Sequence, residues 1–174
     1  MIGMMGAGKT AVGQALARSL GVSFLDSDEE IVRAANMPIA EIFARDGEDF
    51  FRARESEVIA RLLETERAVL STGGGAFLSD ENRKMISNKG VSVWLRADLD
   101  LLWDRVRHKD TRPLLRTDDP RATLEALYKA RVPVYAQADL IVDAQAQYSI
   151  TEMAEAVIRA LQTRPDVLEE VSDD

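Results

Sequence analysis

Gly3-Met4-Met5-Gly6-Ala7-Gly8-Lys9-Thr10 stands at the start of the chain and fits the spacing G-x-x-x-x-G-K-[ST], in which each fixed position has a chemical reason. Glycines let the backbone wrap so that N–H groups face a β-phosphate, which makes Gly6, Ala7 and Gly8 donors toward an anion. Lys9 neutralises charge on the β- and γ-phosphates, and the Thr10 hydroxyl, at the start of the following helix, can ligate magnesium. The alternative, a glycine-rich turn with an incidental lysine, leaves the amphipathic helix from Thr10 unexplained. Such a loop belongs after a buried strand, yet only Met1 and Ile2 precede Gly3. Most of the first strand is therefore expected to be missing from the sequence: either the true start lies upstream, which is favoured, or the fold tolerates a stub. In a doubly wound sheet that strand is central, and its loss would expose apolar faces and unpaired backbone on both neighbours.

Outward from the loop, short apolar runs alternate with amphipathic segments, the pattern of an α/β domain with a parallel sheet and helices on both faces. Strands are expected at 22–25, 68–71, 91–95 and 140–142. Helices are expected at 9–20, 29–35, 39–45, 50–64, 80–88, 99–107, 121–130 and 151–161, the last opened by a capping box of Ser149 and Glu152. The segment 108–120 is the longest without a clear period and carries Lys109, Thr111, Arg112, Arg116, Asp118 and Asp119; it is expected to be a mobile, functional loop. A single domain over 1–162 and an acidic, frayed tail over 163–174 complete the organisation.

Composition narrows the chemistry. A length of 174 residues with 46% hydrophobic and 30% charged residues supports one packed core and excludes disorder for the bulk of the chain. The absence of cysteine removes disulfides, thiolate nucleophiles and thiolate-bound zinc, and the single histidine, His108, removes a multi-histidine metal site. Any metal is then a hard ion held by oxygen. A net charge of −8 argues against nucleic acid or anionic membranes as partners, although part of it falls in the tail, at Asp166, Glu169, Glu170, Asp173 and Asp174. No apolar run is long enough to span a bilayer and no secretion signal opens the sequence, so a cytosolic address is expected.

Three further features lie where the strands end, at the edge of a parallel sheet where ligands bind. Asp26-Ser27-Asp28 offers two carboxylates, one suited to holding magnesium through water and one to accepting a proton or hydrogen bond from an attacking hydroxyl. Helix capping, with Ser27 and Glu30 at capping-box spacing, accounts for the same residues. Gly73, Gly74 and Gly75 bring bare backbone close to a ligand, or form a flexible connection. Arg52, Arg112 and Arg131 suit a carboxylate and a phosphate, each alone being equally compatible with solvent. His108 is expected on an exposed lid, and Trp94 and Trp103 in the core.

Gly-x-x-Gly-x-Gly-Lys-Thr, Asp26-x-Asp28, Phe51-Arg52, Gly73-Gly74-Gly75, Arg112-Pro113-Leu114 and Arg131-x-Pro133-x-Tyr135 together resemble the shikimate kinases, of the nucleoside-monophosphate-kinase-like branch of P-loop proteins. The resemblance covers nearly the whole chain except the tail. It implies a three-layer P-loop kinase fold with a lid over 108–120, and the reaction of ATP with the shikimate 3-hydroxyl to give shikimate 3-phosphate and ADP, a step toward aromatic amino acids. Asp28 would orient or deprotonate the acceptor hydroxyl, and Arg52 and Arg131 would hold the shikimate carboxylate beside Gly73, Gly74 and Gly75. Lys9 and Arg112 would stabilise the transferring phosphoryl group, Thr10 and Asp26 would fix Mg2+, and Arg105 would flank the adenine. No oligomer is expected. After Val142, where the family contacts adenine, 143–148 offers no recognisable match. A gluconate kinase, or a nucleotide-binding relative without turnover, are the alternatives.

Overall fold

The computed structural model describes residues 1–108 and 115–168. Four parallel strands form two pairs: β1 (Ser23–Asp26) with β2 (Ala68–Ser71), and β3 (Val93–Arg96) with β4 (Leu140–Asp143). Met1 and Ile2 lie between the pairs. Ile2 N–H donates to Val93 O at 2.9 Å and Leu95 N–H to Ile2 O at 3.0 Å, while Thr72 N–H donates to Met1 O at 3.3 Å and the Met1 ammonium to Leu70 O at 2.6 Å. The two residues that feed the phosphate loop thus occupy the central position expected of a first strand and join both neighbours. Met1 and Ile2 are buried in the same core as Val93, Trp94 and Leu95.

The helices are α1 (Lys9–Leu20), α2 (Ser27–Ala35), α3 (Ile39–Asp46), α4 (Glu48–Thr65), α5 (Asp80–Lys89), α6 (Leu99–Val106), α7 (Pro120–Tyr135) and α8 (Ile150–Leu161). α1 packs on α8 and against β1 and β2, and Gly13 makes this possible: a Cβ there would meet the Phe24 ring at 2.6 Å. Gly21, at φ 66°, stops α1, and Ser149 with Glu152 forms the capping box of α8. Ile31, Ile42 and Phe51 make a separate small core for α2, α3 and α4.

Most boundaries shift by one or two residues from expectation, and two of the shifts have clear physical reasons. α2 starts two residues early because Asp26, not Ser27, is its cap, with Oδ1 accepting from Asp28 N–H at 2.8 Å and Glu29 N–H at 3.2 Å. α7 runs through Pro133 to Tyr135. Proline normally ends a helix, but here burial of Tyr135, two residues beyond it, in the core offsets the lost backbone bond. Trp94 is buried, Trp103 packs against the core and His108 is exposed, as expected.

At the amino ends of β3 and β4, Asp139 and Ser92 clasp one another. Ser92 N–H and Oγ donate to Asp139 Oδ2 at 2.8 and 3.0 Å, Asp139 N–H donates to Ser92 Oγ at 2.8 Å, and Ser87 Oγ reaches Asp139 Oδ1 at 3.1 Å.

Candidate active site

The phosphate loop takes its shape from backbone that L side chains rarely adopt. Gly6 and Gly8 lie at φ 81° and 97°, and a Cβ on Gly6 would stand 2.7 Å from Val106 Cγ1. Two cations sit on the loop's carbonyls. Lys9 Nζ donates to Gly3 O at 2.5 Å, and Arg105, reaching from α6, donates through Nη1 to Gly6 O at 3.1 Å and Ala7 O at 3.2 Å. A cavity of about 480 Å³ adjoins the loop, and its wall includes Thr10, Arg105, Tyr148 and Met153. Tyr148 belongs to the stretch in which no adenine contact could be recognised. An exposed aromatic between a sheet edge and a capping box was the available signal.

The acceptor side is built by strand register. Asp26 pairs with Ser71 across β1 and β2, so Asp28 and Gly73 leave the sheet side by side. A Cβ on Gly73 would lie 3.0 and 3.1 Å from the Asp28 carboxylate oxygens, one on Gly74 2.8 Å from Arg131 Nη1, and one on Gly75 2.5 and 2.7 Å from the two terminal nitrogens of Arg52. None of the three glycines has positive φ. Neighbours rather than backbone conformation distinguish them, because three polar head groups from α2, α7 and α4 stand where side chains would go and would have to shift to admit one. The run is thus packed under charged side chains from three helices.

One participant was missed. Arg52 Nη1 donates to Glu55 Oε1 at 2.9 Å, and Glu55 is only 1% exposed. The buried stripe of α4 is Phe51, Glu55, Ile59 and Leu62, so a carboxylate at a core-facing helical position was the signal in the sequence. Burial pushes the Glu55 carboxyl up, Arg52 opposes the push and Asp28 adds to it. Asp28 is also raised, by burial first and then by Asp26, with Lys9 and Arg52 pulling the other way. Residues from the phosphate loop and the acceptor floor therefore share one electrostatic field. Tyr135 was noted only as part of a motif; its hydroxyl donates to Gly74 O at 2.6 Å.

The oxygen donors suit a hydrated hard cation. Thr10 is exposed at the head of α1, and Asp26 commits Oδ1 to its cap, leaving Oδ2 outside that bond. Ser27 Oγ and Thr72 Oγ1, beside these residues, are buried without hydrogen-bond partners. Among the described residues no three acidic, histidine or cysteine side chains converge into a cage. That set fits an ion that keeps its own waters and shares phosphate oxygens. Arg112, with the rest of 109–114 in the expected lid, and the acidic tail from Glu169 onward lie outside the described residues.

A phosphate loop facing a polar, carboxylate- and guanidinium-lined floor across one edge of a parallel sheet defines a small-molecule kinase of the P-loop class. The shikimate kinase family model matches residues 5–162. The chain is 71% identical over 169 residues to a shikimate kinase of Ruegeria pomeroyi, covering 97% of this chain and 87% of that one, and 69% identical to one of Cereibacter sphaeroides, covering 97% and 84%. A shikimate kinase from Acinetobacter baumannii, solved in complex with shikimate, superposes with a TM-score of 0.85 at 37% identity, over 93% of this chain and 90% of that one. This chain belongs to the shikimate kinase family.

Proposed function

We propose that this kinase transfers the γ-phosphoryl group of ATP to the 3-hydroxyl of shikimate, releasing ADP and shikimate 3-phosphate. The observation that carries the reading is the glycine floor, where Asp28, Arg131 and Arg52 each stand in the place of a missing side chain. Two guanidiniums beside that floor suit a carboxylate through paired, charge-assisted hydrogen bonds. A carboxylate next to them suits ring hydroxyls: Asp28 would accept a hydrogen bond from the attacking hydroxyl, and its raised pKa makes it a better proton acceptor than an ordinary aspartate.

Gly6, Ala7 and Gly8 would cradle the β-phosphate through backbone N–H groups, and Lys9 would leave its contact with Gly3 O to meet the β- and γ-phosphates. Arg105, already on the loop, would flank the adenine beside Tyr148. Arg112 would reach the transferring group from the lid over 108–120, whose closure would exclude water that otherwise hydrolyses ATP. Thr10 would ligate Mg2+ directly and Asp26 would hold one of its waters, the ion shielding β- and γ-phosphate oxygens when bound. Catalysis is then positioning plus electrostatics. The domain over 1–162 would act as a monomer in the cytosol without nucleic-acid or membrane partners; no helix among the described residues is long and apolar enough to cross a membrane.

The test is ADP release by the protein with ATP and magnesium, with shikimate, with gluconate and with neither. Release that depends on shikimate alone is expected. Release with gluconate instead, or ATP binding without release under any condition, would overturn the assignment.

A further inference from the structure

Tyr135 is fully buried, its ring 6.0 Å from that of Trp94, yet its one polar atom surfaces under the acceptor floor. The hydroxyl donates to Gly74 O at 2.6 Å and lies beside the Arg131 guanidinium. A Cβ on Gly74 would lie 2.8 Å from Arg131 Nη1 and 3.4 Å from the Tyr135 hydroxyl, so carbonyl, guanidinium and phenol meet around one point. Arg131 and Tyr135 are four residues apart on α7 and share its face.

We propose that Tyr135 is a positioning residue for the acceptor, tying Arg131 and the Gly74 carbonyl together so that the guanidinium is aimed before shikimate arrives. A long arginine side chain otherwise loses rotamer freedom on binding, and fixing it beforehand removes that cost from the affinity. The phenol is suited to the task because a tyrosine ring has few rotamers and this one is locked in the core. Burial holds its pKa above the usual value, against a weaker pull from Arg131, so the hydroxyl keeps its proton, and remains a donor to Gly74, throughout the neutral range. Pro133 lies between the two residues, and α7 continues across it until Tyr135 is in place. The inference rests on the assignment of Arg131 to the shikimate carboxylate.

The experiment compares Y135F, R131A and the double variant for KM of each substrate, kcat and Tm. Phenylalanine keeps the ring in the core and deletes only the hydroxyl. Y135F is expected to raise the shikimate KM about tenfold, the size of one well-made hydrogen bond, with kcat within about twofold and the ATP KM unchanged. In the R131A background the same change should add little, because the group it aims is gone. A Y135F enzyme with a lower Tm and an unmoved shikimate KM, or one that loses the same factor in both backgrounds, overturns the positioning role. If R131A itself leaves the shikimate KM unmoved, the assignment of Arg131 fails and the inference falls with it.

Discussion

The two ends of the sheet treat their polar groups in opposite ways. At the amino ends, Asp139 and Ser92 satisfy each other reciprocally, and the result is a joint with nothing left to offer a ligand. At the carboxyl ends, Ser27 and Thr72 keep buried hydroxyls without partners, two carboxyls are held above their ordinary pKa, and three glycines give up their side chains to make room for charged groups. The same strands support both ends. One end therefore contributes stability, and the other holds unfavourable arrangements that binding can relieve.

The largest expected effect is at the functional end. Lys9→Ala should lower kcat by about a hundredfold or more, since it deletes the charge proposed to meet the transferring group, with little change in the shikimate KM; steady-state kinetics check it. Gly75→Ala comes next. Its methyl would overlap the Arg52 guanidinium, so the shikimate KM should rise about tenfold or more, measured against an unchanged ATP KM. Asp139→Ala should do the reverse: about 1–3 kcal/mol of stability is lost as the Ser92 N–H and hydroxyl are left buried and unmet, lowering Tm by about 5 °C without moving either KM. A shifted KM in that variant would break the contrast between the ends.

The smallest effect concerns pH. A carboxyl raised in the folded state stabilises the fold most below its unfolded pKa, and that contribution is lost as pH rises through the folded value. Glu55, raised chiefly by burial, therefore opposes folding near neutrality. Glu55→Gln should raise Tm by about 1–3 °C at neutral pH, the gain fading as the buffer falls through the carboxylate range, while Arg52 keeps only its longer pairing with Glu48 and the shikimate KM worsens. A Tm that falls at neutral pH would show that Glu55 stabilises the fold as well as aiming Arg52.

Much of this division was legible in the residues. The phosphate loop announces itself because a tight anion cradle demands fixed glycines, and apolar runs mark the strands because a parallel sheet is buried on both faces. Glu55 was overlooked because helix periodicity sorts residues by hydrophobicity, and a carboxylate on the apolar stripe of α4 looks like an interruption until its partner is seen. The Tyr135 hydroxyl was beyond reach for a different reason: proline rules end α7 before it, and only the core shows why the helix continues. Tyr148 carries a weak local signal as an exposed aromatic before a capping box, but that it lines the cavity beside the phosphate loop follows from the placement of α8 against α1, a tertiary fact.

The glycine floor also has a genetic consequence. Every first- or second-base change in a glycine codon yields a residue that carries a Cβ, or a stop, whereas every third-base change is silent. Even alanine, the mildest of those replacements, would displace the Arg131 or Arg52 guanidinium at Gly74 or Gly75 and press on the Asp28 carboxylate at Gly73. In a library of single-base variants selected for activity, these three codons should survive mainly through third-base substitutions, while Gly90, whose backbone is extended at φ −162° and where a Cβ would meet only ordinary contacts at 3.6 and 3.7 Å, should admit others.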